Sequence, residues 1–487
     1  MKAAKRLIRR FFPRIHASLA ELKHRTRVLW HGLRTAREIA QVWSGNTIVG
    51  PKLHCATYPE LDPRIADLGS LGVFEDALRP PVPDLNPGCD PGHVVMLVVS
   101  ALRIDPRVER EARALADNGY RVTVICPDIS SPPLLEQPID WGANIQFDIL
   151  GWQAASFINQ YPWMHGELML EAALKYKPLA FHCHDLSTAL IGLAAARKAG
   201  ARCVCDFHEW YSENVSWDAA KQEYVPHPDP VRTMYQAAEA LAMARADEVI
   251  TVCDSIAKEL ESAYPLGGKK VHVIRNVPSL VRSGTAFPSL RESLQVKADQ
   301  LVLLWQGGTG PTRLLEPVIK SLAFAPNIVF VIRGPSLDMF GEGYRKLAEE
   351  AGVSDRLHLL PPVKSADVVA AAVGADVGIW TLPNLSKNFY YALPNKIFEY
   401  LAAGLPLVCA NFPEARSIVE TYGVGATFDP YSPESIAEAL VKLSDPEVRA
   451  GCARNVGAAL TALQADQEWS KLVKLYEALR LRVGPRQ

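Results

Sequence analysis

From His93 onward, short unbroken apolar runs alternate with stretches of helical spacing. Val94–Ser100 is such a run, as expected of a strand buried on both faces. Arg107–Asn118 follows with Val108, Ala112 and Leu115 on one helical stripe and Gly119 as its stop. Arg121–Cys126 is a second strand, and the order then repeats. Strands are predicted at Leu179–His182, Arg202–Asp206, Glu248–Cys253 and Val271–Ile274, with helices at Thr188–Ala199, Ala237–Arg245 and Ser255–Ser262. Residues 278–299 interrupt the pattern with Pro278, Ser279, Ser283, Gly284 and Pro288. A second series follows, with strands at Leu301–Gln306, Ile328–Arg333, Leu357–Leu360, Val377–Trp380 and Leu407–Ala410. Its helices are expected at Leu314–Ser321, Tyr344–Ala351, Val368–Val373 and Lys396–Ala402. Strand-helix alternation of this kind implies parallel sheets covered on both faces. The chain therefore reads as α/β, two doubly wound Rossmann-like domains whose strand ends face a central cleft, where ligands of open sheets bind.

The expected boundaries are a lead-in over 1–92, a first domain over 93–280, a linker over 281–299, a second domain over 300–460 and a terminal helix over 461–487. Within the lead-in, Met1–Trp43 reads as helix broken near Pro13, with Leu7, Ile8, Phe11 and Phe12 beside Lys5, Arg6, Arg9, Arg10 and Arg14. A basic amphipathic segment suits an anionic membrane surface, or the protein's own acidic body. It lacks the apolar core of a secretory signal. Residues 44–92, with Pro80, Pro81, Pro83, Pro87 and Pro91, read as irregular chain rather than core. Toward the other end, Glu468, Trp469, Leu472, Val473, Leu475, Tyr476 and Leu479 describe an amphipathic helix.

Composition narrows the function classes. A net charge of −1 argues against a chain that coats nucleic acid. Nine cysteines without a disulfide framework fit a reducing cytoplasm, with peripheral attachment to the inner membrane face through residues 1–43. His182, Cys183, His184 and Asp185 stand together but complete no zinc spacing, so no metal is expected.

The chemistry concentrates at two turns of the second series. Gly307, Gly308 and Gly310 follow a buried strand, where bare backbone can approach a ligand and turn N–H groups toward phosphate. Arg313 adds a planar cation suited to a diphosphate. Further on, Asn395 is a plausible helix cap, and Lys396 is a cation where the helix dipole disfavours one, as if an anion sat there. Glu399, one turn along, is placed to accept from sugar hydroxyls.

The run Asn395–Pro406, a helix carrying a glutamate and closing on Ala-Gly-Leu-Pro, resembles the donor-site signature of glycosyltransferase family 4, which has the GT-B fold. Asp105-Pro106-Arg107-Val108 resembles that family's opening turn, Asp206-Phe207-His208-Glu209 its acidic-aromatic-His-Glu segment, and Ile274-Arg275-Asn276-Val277-Pro278 the close of its first domain. The resemblance spans roughly 93–480. It implies a nucleotide-diphosphate sugar on the second domain and a sugar, polysaccharide or lipid-linked acceptor on the first. No cofactor is implied, the reaction is expected to be metal-independent and to retain anomeric configuration, and a role in polysaccharide or glycolipid synthesis fits. By analogy Glu399 binds the ribose, Arg313 and Lys396 neutralise the departing diphosphate, and His208 stands near the reacting sugar. Asp105, Arg107 and Glu209 fall on the acceptor side. Two positions depart from the pattern. Tyr391 stands where the family has a second glutamate touching the donor sugar, and Glu316, Pro317 and Val318 occupy the region of a usual lysine. Trp152, Phe157, Tyr161 and Trp163 mark an insertion on the acceptor side. Two other readings are open to a chain of this kind: a nucleotide-sugar epimerase on the same fold, and a non-catalytic binder of nucleotide sugar or polysaccharide.

Overall fold

A computed structural model describes residues 75–150, 166–218, 221, 223–277, 284–463 and 467–482. The basic segment 1–43 and the aromatic insertion at Trp152–Trp163 lie outside these residues. The first sheet has seven strands: β1 (Asp90–Leu97), β2 (Arg121–Pro127), β3 (Ile145–Leu150), β4 (Pro178–His184), β5 (Arg202–Phe207), β8 (Glu248–Thr251) and β9 (Val271–Val273). A separate hairpin, β6 (Val215–Asp218) with β7 (Glu223–Pro226), projects between β5 and β8. The order is β3-β2-β1-β4-β5-β8-β9, every pairing parallel. The second sheet holds β10 (Leu301–Gln306), β11 (Ile328–Arg333), β12 (Leu357–Leu360), β13 (Val377–Trp380), β14 (Leu407–Ala410) and β15 (Gly425–Phe428). Its order is β12-β11-β10-β13-β14-β15, again all parallel.

Both sheets reverse direction of winding beside their first strand, between β1 and β4 and between β10 and β13. At such a switch point the two following loops diverge and leave a crevice at the strands' carboxyl ends. The physical origin is plain in the sequence, since Val302–Trp305 and Phe330–Ile332 are fully buried or nearly so and can be covered only by helices on both faces.

Several expectations need correction. The stretch before His93 is not detached from the core: Ala77, Leu78, Leu85 and Cys89 are buried with the first domain. The carbonyls of Leu78, Arg79 and Pro83 accept hydrogen bonds from Arg245, Arg197 and Arg202, so the proline-rich path is pinned by three arginines. The helix expected from Leu314 begins at Glu316, because Leu314 itself turns through φ +48°. The helix expected at Val368–Val373 is two short 3-10 turns at Ser365–Asp367 and Ala370–Ala372.

The helix Pro446–Ala462 buries Val456 and Ala459 in the second core, whereas the next helix, Glu468–Leu481, buries Leu472, Tyr476 and Leu479 in the first. Burying three such side chains is worth roughly 1.5–3 kcal/mol each. Polar bonds also cross the seam between the domains, beside Tyr391 and Leu393 packed on the first core. Asn388 accepts from the Trp210 backbone, Glu414 from Ser255, and Lys387 and Tyr391 both bond Glu259.

Candidate active site

On the first domain's lip, β4 and β5 bring together a buried set of charges. Strand register sets His184 beside Asp206 and Cys183 beside Cys205. The alternation of a strand then puts His182, His184 and Asp206 on one face and the three cysteines Cys183, Cys203 and Cys205 on the other. The run His182–Asp185 therefore does not converge as one ligand set. Arg107, on the helix Pro106–Asp117, donates Nε and Nη2 to the two oxygens of Asp206 at 2.9 and 2.7 Å, and Nη1 to the Ile274 carbonyl. Glu111, one turn on, lies 3.0 Å from the same guanidinium. Glu111, His182, His184 and Asp206 offer four donor atoms within 4.8 Å of one another. The guanidinium already occupies their carboxylates, which makes a second cation unfavourable there.

His208 ends this cluster at the cleft. Its Nε2 is 3.0 Å from Asp206, its Nδ1 3.4 Å from Asp185, and its backbone N–H donates to Asp185. Burial works against an imidazolium, but Asp185 and Asp206 outweigh it and hold the His208 pKa up at about 9. Asp185 sits at φ +64°, a left-handed conformation that L residues avoid, immediately before the helix Leu186–Ala199. Strain of this kind costs on the order of 1–3 kcal/mol and concentrates at functional sites.

On the second domain's lip, β10 runs into Gly307. Gly307 N–H donates to Arg333, Gly310 N–H to the Tyr344 hydroxyl, and the Trp305 indole to the Gly308 carbonyl. Among the described residues the N–H groups of Gly308 and Thr309 have no partner within the chain, which leaves them for a ligand. Lys396, second residue of the helix Asn395–Ala402, extends its ammonium to 5.1 Å above the Trp305 ring. Burial draws its pKa down to about 8, with Glu399 opposing and Arg313 adding to the fall. Burial likewise pushes Glu399 up, against Lys396 and Arg110. Gly307 has φ +140°, and a Cβ there would stand 2.3 Å from Lys396 Cε and 2.5 Å from its Nζ. Gly307→Ala is therefore expected to evict Lys396 from its post and to weaken donor affinity at least about tenfold, a loss worth roughly 1.4 kcal/mol, read by calorimetric titration.

The structure thus brings Gly307, Gly308, Gly310, Arg313, Lys396 and Glu399 to one lip and His208 and Glu209 to the other. Glu209, bonded by the Asn214 amide, lies close enough to Arg313 for each to act on the other's charge. Four expected site residues are placed otherwise. Arg107 is 2 % exposed and clamps Asp206 instead of facing an acceptor. Asp105 caps its helix, accepting from Val108 N–H at 3.3 Å. Tyr391 gives its hydroxyl to Glu259 at 2.9 Å, so it belongs to the domain seam and not to the donor lip. Asn395 starts its helix, with Pro394 in the cap position, so it is not the cap expected of it. Arg110 was missed. Bonded to Asn276 at 2.8 Å and drawn down to about 10 by burial against the pull of Glu399, it reaches across the cleft from the first domain. Its only trace in the sequence is its place one helical turn beyond Arg107.

Two family models match the chain, Glycosyltransferase Family 4 over residues 107–277 and Glycosyl transferases group 1 over 287–456. Among curated relatives, the D-inositol 3-phosphate glycosyltransferase of Mycobacterium marinum is 26% identical over 260 residues, 47% of this chain and 54% of that protein. The putative teichuronic acid biosynthesis glycosyltransferase TuaH of Bacillus subtilis is 25% identical over 264 residues, 50% of this chain and 64% of that one. The chain spans about half the length of the first relatives it matches, 54% and 50%. Of solved structures, sucrose-phosphate synthase from Thermosynechococcus elongatus superposes with a TM-score of 0.63 at 16% identity, covering 80% of this chain and 98% of that one. Anabaena HepE in complex with UDP and glucose gives 0.56 at 17% identity, covering 79% and 99%. Identities this low speak for the shared fold alone. Among the described residues no helix is long and apolar enough to cross a membrane.

Proposed function

Because the chain belongs to the family 4 and group 1 glycosyltransferases and has the GT-B fold, we propose that it moves a sugar from a nucleotide-diphosphate donor on the second domain to an acceptor hydroxyl on the first. The observation that carries this reading is the convergence of Arg313 and Lys396 on the glycine turn, with Glu399 one helical turn beyond. Two cations and free backbone N–H groups form a cradle for a diphosphate. Glu399, its pKa raised by burial, is placed to take the ribose hydroxyls.

In the reaction the bond from the anomeric carbon to the diphosphate oxygen breaks, and the leaving oxygen gains negative charge. Arg313 and Lys396 stabilise that charge as it develops, the larger part of most such rate enhancements. The same two cations support a metal-independent reaction. His208, a cation at neutral pH, faces the sugar from the other lip, and its Nδ1, 3.4 Å from Asp185, is the nitrogen able to turn toward a sugar hydroxyl. The acceptor hydroxyl then bonds to the anomeric carbon on the face the diphosphate leaves and passes its proton to the departing phosphate oxygen, which retains configuration. UDP-sugars are the first donors to try, since HepE of the same fold binds UDP and glucose.

Incubating the full chain with UDP-glucose and glycoside acceptors, and following released UDP together with the product's anomeric proton by NMR, tests the reading. Acceptor-dependent UDP release with retained configuration supports it. Conversion of the donor's sugar without any acceptor would instead identify an epimerase.

A further inference from the structure

The helix Glu468–Leu481 does more than pack on the first domain, because it reaches the buried charges behind the cleft. Tyr476 is fully buried, and its hydroxyl lies 2.9 Å from His182 Nδ1. Trp469, on the same helix, presents its ring 5.8 Å from the Arg107 guanidinium carbon. His182 Nε2 points the other way, 3.1 Å from Glu111 Oε2 and 3.9 Å from Asp206 Oδ2. That Asp206 oxygen also takes His208 Nε2 at 3.0 Å. Three imidazoles thus crowd one carboxylate oxygen, His182 beneath the terminal helix at 3.9 Å, His184 between at 3.6 Å and His208 at the cleft at 3.0 Å.

We propose that Tyr476 is a positioning residue for the cleft: it holds His182 on Glu111 and Asp206, and through the shared Asp206 oxygen His182 tempers how firmly His208 keeps its proton.

The argument is one of hydrogen-bond supply and like charge. A protonated imidazole donates from both nitrogens and needs two acceptors. The Glu111 carboxylate, 3.1 Å away, is the nearest charge to His182 Nε2, and the Tyr476 oxygen takes Nδ1. Burial opposes the charge on His182, yet the Asp206 and Glu111 carboxylates beside it raise its pKa to about 9. Without the Tyr476 hydroxyl, Nδ1–H is buried with no acceptor and the neutral ring gains. Losing the charge at His182 removes a competitor for Asp206, so the proton on His208 is held more tightly. His184 lies between the two, its ring centroid 4.6 Å from His182 and 5.3 Å from His208. Burial and then the His182 charge press it down to about 4, so it reports the same event. The groups that face His208 are Asp185 and His184 from β4, Asp206 from β5, Arg107 from its helix and the adjacent Glu209. Among the described residues, His182 is the one member of the cluster that the terminal helix touches by a hydrogen bond. The meaning of this coupling for catalysis rests on the transferase reading, whereas the coupling itself does not.

The test is a proton titration of the unliganded full chain carrying isotope-labelled histidine, with the His182, His184 and His208 signals assigned by single Gln substitutions. In Tyr476→Phe the His182 midpoint is expected to fall by roughly one pH unit or more while those of His184 and His208 rise. His182→Gln removes the charge directly and is expected to give the same two rises, so the question is decided even if Tyr476→Phe does not fold. A folded Tyr476→Phe or His182→Gln protein whose His208 midpoint stays at its wild-type value, or falls, overturns the proposal. Failure of the transferase reading would show instead as an absence of nucleotide-sugar binding, which leaves these titrations unaffected.

Discussion

Replacing Arg313 or Lys396 with alanine is expected to lower kcat/KM for the nucleotide-sugar donor by about 10²–10³-fold, with most of the loss in kcat. The two cations sit where negative charge grows as the diphosphate leaves, so their contribution is larger in the transition state than in the bound ground state. Their partial burial strengthens the effect, because water that would share the load is excluded. Lys396 adds a pH signature. Its pKa lies at about 8 in the free protein, below the ordinary lysine range, so its charge is present below that pH and lost above it. Donor affinity should fall as pH rises through about 8, and Lys396→Ala should remove that dependence. Steady-state kinetics on both variants across this range checks both parts. A change of less than about threefold in kcat/KM, under 1 kcal/mol, would place the diphosphate elsewhere.

Arg107→Ala should destabilise the first domain by about 3–5 kcal/mol, the usual result of removing one partner from a buried ion pair. Its guanidinium serves Asp206, Glu111 and the Ile274 carbonyl at once, and both carboxylates are fully buried. A drop in Tm on the order of 10 °C is expected by calorimetry. Arg313→Ala, by contrast, should leave Tm nearly unchanged, since among the described residues its one hydrogen bond is to the adjacent Thr312 carbonyl. Equal stability of the two variants would mean that the Arg107 cluster contributes little to the fold.

These contrasts mark what the sequence disclosed and what it hid. The two parallel sheets follow from apolar runs such as Val302–Trp305, which only a doubly covered strand explains. The glycine turn and Lys396 were legible because each breaks a local rule, bare backbone after a strand and a cation on a helix N-terminus. Arg107 and Tyr391 were misplaced because residue type says nothing about which way a side chain is packed. Arg107 turns inward because Asp206, 99 positions later, is buried behind it. Tyr391 turns to Glu259 across a seam that exists only after the domains meet. Pairing over such distances leaves no periodicity to read. The separate hairpin β6–β7 and the last strand β15 were likewise unforeseen, their strands being four residues each and mixed in polarity.

The central claim is that the second domain's lip is a nucleotide-sugar site, and a thermal-shift comparison of UDP-, GDP-, ADP- and dTDP-sugars tests it most directly. Ligand linkage raises stability by about 2.7 kcal/mol at a hundredfold excess over Kd. The account predicts a rise in Tm with one nucleotide class, lost in both Glu399→Ala and Arg313→Ala. A rise that survives both substitutions, or no rise with any of the four in a folded protein, would contradict it.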